Sequence, residues 1–117
     1  FTNSILLDTR ETEEFSVSHI PNAIHAGYYD FSIETFKDLN KDTTIIVYCS
    51  VGYRSSKIAQ KFIDAGFKDV RNLYGGIFMW INENREVVKD SVATDSIHTY
   101  NKRWGRYITN KNIKKFP

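Results

Sequence analysis

Apolar residues along this chain fall into short uncharged runs that alternate with stretches where they recur every three or four positions. Thr44 to Tyr48 is β-branched and aromatic throughout, which predicts a strand buried on both faces. Ile58, Ala59, Phe62, Ile63 and Ala65 then follow at helical spacing. Ser55 or Ser56 is the expected N-cap of that helix, and Gly66 its left-handed stop. Upstream, Ser4 to Leu7 reads as a short buried strand ending at Asp8, and Thr12-Glu13-Glu14 as the start of a short helix. Ala23 to His25 is a second short strand after a proline turn. Ser32 with Ile33, Phe36 and Leu39 predicts another helix. Downstream, Asp69 to Leu73 is a strand, and Tyr74-Gly75-Gly76 a turn that opens into an apolar helix over Ile77 to Ile81. This alternation predicts an α/β domain: a central, mostly parallel sheet of about five strands, flanked by helices.

The pattern loses its clarity after residue 88. Tyr100, Trp104, Tyr107 and Ile108 fit one helical face, while Ile97 to Tyr100 fits an extended segment equally well. Charge changes at the same place. Residues 1–88 carry nine Lys and Arg against twelve Asp and Glu, a net of −3, whereas residues 89–117 carry seven against two, a net of +5. The chain is therefore divided into a domain over 1–88 and a basic, aromatic C-terminal extension over 89–117 that wraps the same domain. Basic residues interleaved with aromatics can also bind nucleic acid or a membrane surface. Packing the aromatics inward with the lysines left in water is the expected arrangement, and no nucleic-acid partner is called for.

Composition sets a few bounds. A length of 117 residues suits one domain with one proper core. No apolar run approaches the length of a membrane span, and no signal-peptide pattern is present. The chain opens on Phe1 rather than Met, which leaves open an upstream segment and the compartment, cytoplasmic or periplasmic. The spacing of His19, His25 and His98 suggests no chelate, so no metal is expected, and no cofactor is implied.

The candidate chemistry lies where the central strand meets its helix. Cys49, the only cysteine, stands at the strand's C-terminal end, followed by Ser50-Val51-Gly52-Tyr53-Arg54-Ser55 and the helix start. Ligands of open α/β sheets bind in that crevice. A buried cysteine is often only a small core residue. A strand end, a glycine able to take positive φ, an arginine and a helix N-terminus together favour a reactive thiol. The amides of Ser50 through Ser55 are expected to curl around the sulfur, with Arg54 as a fixed positive charge. With no second cysteine, any sulfur atom captured on Cys49 must be discharged to another molecule.

Cys49-Ser50-Val51-Gly52-Tyr53-Arg54-Ser55 resembles the active-site loop of the rhodanese, or sulfurtransferase, family. Asp8-Thr9-Arg10-Glu11, with Phe15 and His19-Ile20-Pro21-Asn22-Ala23, is similar to that family's N-terminal signature. Asn72-Leu73-Tyr74-Gly75-Gly76-Ile77 with Trp80 is similar to its C-terminal one. The resemblance spans roughly residues 4 to 88, and Asn22 replaces the family's usual Gly. It implies a rhodanese-like single domain in which Cys49 takes a sulfane sulfur from thiosulfate or a persulfide and passes it to a thiol or cyanide. The acceptor could be a protein thiol. Residues 50–55 would form the substrate-binding anion loop, and Asp8 and Arg10 would support it, Asp8 in a structural capacity.

Two other classes are weighed against this. A non-catalytic binding or regulatory module would keep the fold without turnover, but members that lack the cysteine suit that description better. A Cys-dependent phosphatase or arsenate reductase also uses a Cys-to-Arg anion loop. Its loop is longer, and the four residues between Cys49 and Arg54 should crowd a tetrahedral phosphate. His19 is expected to be a structural clip, since an ionised thiolate needs no general base. The Gly75-Gly76 pair lacks the following Lys of a phosphate loop, so its expected purpose is close backbone approach.

Overall fold

The computed structural model describes residues 3–117; Phe1 and Thr2, which the 1–88 boundary includes, lie outside the described residues. The four central strands are β1 (Ser4–Asp8), β2 (Ile24–His25), β3 (Thr44–Tyr48) and β4 (Asp69–Asn72), in the order β2-β1-β3-β4 and all parallel. The sheet thus has four strands where the hydrophobic runs suggested about five. The remaining extended segments pair elsewhere, as two separate ribbons. One is the antiparallel pair β5 (Val87–Lys89) and β6 (Val92–Thr94), the other the parallel pair β7 (Ser96–His98) and β8 (Lys114–Phe116). Asp90 and Ser91 both take positive φ at the tip of the first ribbon, the geometry that suits a two-residue hairpin.

Alternation along the strands separates two apolar layers. Leu7, Ile45 and Val47 face α2 (Tyr53–Asp64), packing with its Ile58 and Phe62. Tyr48 points the other way, into a layer with Ile77, Phe78 and Ile81 of α3 (Gly76–Asn82). Ile97 and Ile108 of the C-terminal segment lie fully inside that second layer, and Trp104 packs against it.

Two predicted helices differ. The stretch after Ser32 forms only a 3-10 turn, Ile33–Phe36, and Ser32 makes no side-chain cap. Phe31, Ile33, Phe36 and Leu39 pack against the layer around Phe62, so their spacing satisfies burial without continuing a helix. α2 begins at Tyr53, ahead of the serines expected to cap it. Gly52, at φ 120°, is the N-cap, and the Ser55 and Ser56 hydroxyls turn back toward the preceding carbonyls.

Candidate active site

The site is assembled where the C-terminal ends of β1, β3 and β4 meet α1 (Thr12–Val17) and the starts of α2 and α3. Beneath it lies a buried polar network. Arg10 is 0% exposed and forms a fork with the Asp8 carboxylate, Nη2 to Oδ2 at 2.7 Å, while the same nitrogen donates to the Ser18 carbonyl at 2.7 Å. The Tyr48 hydroxyl donates to Asp8 Oδ2 at 2.7 Å and accepts from the Ile20 amide at 3.1 Å. Burial and the negative charge of Asp8 push the Tyr48 phenol far above its ordinary range. Burial opposes the charge of Arg10, but Asp8 outweighs it and strengthens protonation. This network joins Asp8 and Arg10 to Tyr48, the residue before Cys49.

The loop backbone is gripped from two sides. The Thr9 amide and hydroxyl both donate to the Tyr48 carbonyl at 2.9 Å. At the other side, α3 offers its first free amides to the loop: Ile77 N–H donates to the Cys49 carbonyl at 2.9 Å and Phe78 N–H to the Ser50 carbonyl at 3.1 Å. Gly76 makes this approach possible, because a Cβ there would lie 2.5 Å from both of those carbonyl oxygens.

Cys49 Sγ accepts from the Gly52 amide at 3.1 Å, the one backbone donor to the sulfur among the described residues. Of the amides expected to ring the sulfur from Ser50 to Ser55, this is the one that donates to it; the helix begins at Tyr53, capped by Gly52, and its first intrahelical amide bond runs from Ser56 to the Gly52 carbonyl. A second polar atom, Ser55 Oγ, lies 3.4 Å from the sulfur. Its single proton has a shorter acceptor in Asn72 Oδ1 at 2.6 Å, and the Asn72 amide donates in turn to the Gly52 carbonyl at 3.1 Å. Asn72 therefore bonds to both residues that touch the thiol, at the Ser55 hydroxyl and the Gly52 carbonyl.

Arg54 departs from the lone cation expected of it. Its guanidinium forms two hydrogen bonds to Glu14, 2.8 and 2.9 Å, and a third to Ser50 Oγ at 3.0 Å. Burial works against both charges, but the mutual hydrogen bonds and attraction prevail: Glu14 is held below the usual carboxylate range and Arg54 is raised. Glu14 also closes a capping box at the start of α1, with the Glu11 amide donating to it at 2.9 Å.

Cys49 is recessed, at 1% exposure, and lines a half-open cavity of about 610 Å³. Ser50, Val51, Tyr53 and Arg54 of the predicted loop line it as well. Four further aromatic residues complete the wall: Tyr28, Tyr29, Tyr100 and Trp104. Sequence reading missed these and also Glu14 and Asn72. Asn72 carried one available signal, its place at the end of the strand beside β3. The histidines serve the scaffold: the His19 ring stacks on Phe15 with centroids 3.9 Å apart, and His25 Nε2 lies 2.8 Å from the Arg10 carbonyl.

The family description "Rhodanese-like domain" matches residues 2–83. The chain belongs to this family. It is 32% identical over 76 residues to the thiosulfate sulfurtransferase GlpE of Coxiella burnetii, covering 65% of this chain and 70% of that protein. It is 35% identical over 86 residues to the adenylyltransferase and sulfurtransferase UBA4 of Candida albicans, covering 68% of this chain but only 20% of that much longer protein. Some relatives carry another name, such as the tRNA uridine(34) hydroxylase of Listeria welshimeri, 34% identical over 80 residues, 64% of this chain and 25% of that protein. Among solved structures, the BH2092 protein of Bacillus halodurans superposes with a TM-score of 0.69 at 35% identity, over 80% of this chain and 68% of that one. The sulfurtransferase-named relatives support a rhodanese-family enzyme. Among the described residues, no helix is long and apolar enough to cross a membrane.

Proposed function

We propose that this domain is a sulfurtransferase working through a persulfide on Cys49. In the first half-reaction the Cys49 thiolate attacks the outer sulfur of a sulfane donor. The new bond joins Sγ to that sulfur, and the donor's sulfur–sulfur bond breaks with its electron pair leaving on the remainder, which is sulfite when the donor is thiosulfate. In the second, an acceptor thiolate or cyanide attacks the outer persulfide sulfur and regenerates the Cys49 thiolate, giving ping-pong kinetics. The Gly52 amide stabilises negative charge on sulfur, an oxyanion-hole logic applied to a larger atom. Asp8 and Arg10 act by fixing the loop's base.

The observation that carries this reading is the recessed Cys49 sulfur beside the Gly52 amide, at the end of a cavity open to solvent. The pairing of Arg54 with Glu14 also weighs against phosphate-ester chemistry, because no unopposed guanidinium is left to hold a phosphoryl group. Mass spectrometry after incubation with a sulfane donor tests the proposal. A gain of one sulfur on Cys49, released by added thiol or cyanide and absent in Cys49→Ser, is the expected result. An unchanged mass with every donor class would instead support a binding module.

A further inference from the structure

The family match ends at residue 83, yet the cavity over Cys49 is completed by two residues beyond it, Tyr100 and Trp104. Their positions are built in. Ile97 and Ile108, on either side, are buried in the core. The Asn82 side chain ties the returning chain down, accepting from the Thr109 amide at 2.8 Å and donating to the Tyr107 carbonyl at 2.9 Å. Asn101 caps α4 (Lys102–Gly105) by accepting from the Trp104 amide at 2.9 Å. Tyr100 takes φ 73°, with its amide donating to His98 Nδ1 at 3.0 Å, and its ring lies 5.2 Å from the Arg54 guanidinium carbon. β7 packs against α1, the helix that carries Glu14, and this brings the tail to the loop.

The chemical character of the cavity follows. Five aromatic residues line it, and the one charged residue among its lining, Arg54, is matched by Glu14 and covered by Tyr100. A small dianion entering here would give up water against tyrosine and tryptophan faces and find no surplus positive charge. An organic body would instead bury apolar surface and stack on the rings. The volume of about 610 Å³ falls within the range of sites for organic ligands, roughly 300–1,000 Å³.

Building on the persulfide reading above, we propose that Tyr100 and Trp104 are specificity-determining residues. They make the site select organic sulfane-sulfur compounds, persulfides or thiosulfonates with an apolar or aromatic body, over thiosulfate. With benzenethiosulfonate the step balances: the Cys49 thiolate bonds to the sulfane sulfur, the sulfur–sulfonyl bond breaks, and its electron pair leaves on benzenesulfinate.

The test compares second-order rates of Cys49 sulfur loading from benzenethiosulfonate and from thiosulfate, each divided by the rate with a free small thiol in the same buffer. The normalised ratio should favour benzenethiosulfonate by about tenfold or more. Tyr100→Asn, which removes the ring while tolerating positive φ, should cut that ratio by roughly three- to tenfold, and Tyr100→Phe should preserve it. Trp104→Leu, which keeps apolar bulk toward the core, gives the same readout should Tyr100→Asn fail to fold. Loading with a normalised ratio near one, or a ratio that ignores removal of either ring, overturns the inference and leaves the persulfide reading standing. Loading by neither donor overturns both.

Discussion

Glu14 holds Arg54 with two hydrogen bonds of 2.8 and 2.9 Å across 40 positions of sequence, and the side chains are 2% and 15% exposed. The relationship decides how much positive charge the thiol loop presents. Removing one member of a buried pair leaves the other desolvated and unmatched, which costs more than the pair itself contributes. Glu14→Gln keeps the shape and part of the hydrogen bonding, so a loss of about 2–3 kcal/mol in urea unfolding is expected. Because the variant leaves Arg54 with surplus charge, sulfur loading from thiosulfate should rise relative to loading from a neutral or bulky donor. Unaltered donor preference would show that the Arg54 charge does not reach the cavity.

The same pair predicts an acid limb in stability. Glu14 is held below the usual carboxylate range, so its folded pKa is below its unfolded value of about 4.3. The sign follows from proton binding: above that unfolded value the contribution is complete, and it is lost as pH falls through the depressed folded value. The stability gap between the native chain and Glu14→Gln should therefore be widest at neutral pH and close below the ordinary carboxylate range. Urea midpoints measured from pH 7 to pH 3 check this, and a gap constant across that range would refute the linkage.

What could be read in advance, and what could not, divides by distance along the chain. Thr44 to Tyr48 announces its strand because five consecutive residues state one preference, and Cys49 announces its place because strand, loop and helix start are contiguous. Glu14 gave no such notice. As the third residue of a capping box it looked like an ordinary acidic first turn, and only the docking of α1 aims it at Arg54. Tyr100 and Trp104 were ambiguous for a different reason. Their spacing fits a helical face, but the structure splits it: β7 is extended up to His98, and a four-residue helix begins at Lys102. Ser55 misled because two functions compete for its hydroxyl. Its hydroxyl bonds to Asn72 instead, because Gly52, at positive φ, already holds the N-cap position three residues earlier.

Gly76 gives a prediction about close approach. Its φ is +61°, and an added Cβ would stand 2.5 Å from the carbonyl oxygens of Cys49 and Ser50. These are backbone atoms, so relief requires moving the loop itself. Gly76→Ala should cost about 3 kcal/mol or more and slow sulfur loading, because the displaced carbonyls carry Sγ and its Gly52 donor with them. Gly66→Ala is the control. It shares a positive φ of +96°, but nothing lies within 4 Å of the new methyl, so only a conformational cost of about 1–2 kcal/mol is expected and loading should not change. Equal losses in the two variants would show that crowding against the loop is irrelevant.

Asp8 and Tyr48 separate scaffold from chemistry. The Tyr48 hydroxyl is the only link among the described contacts between Asp8 Oδ2 and the Ile20 amide, at 2.7 and 3.1 Å. Tyr48→Phe strips both buried partners of one bond and should cost about 1–3 kcal/mol. Asp8→Asn is more severe, since it leaves the fully buried Arg10 guanidinium without its counter-charge, and about 3–5 kcal/mol is expected. Neither side chain lines the cavity, so in whatever fraction remains folded the rate of Cys49 loading should stay within about threefold of the native chain. Denaturant titration and loading kinetics on the same samples read the two effects separately. A large fall in loading with little loss of stability would move Asp8 from the foundation of the loop into the reaction itself.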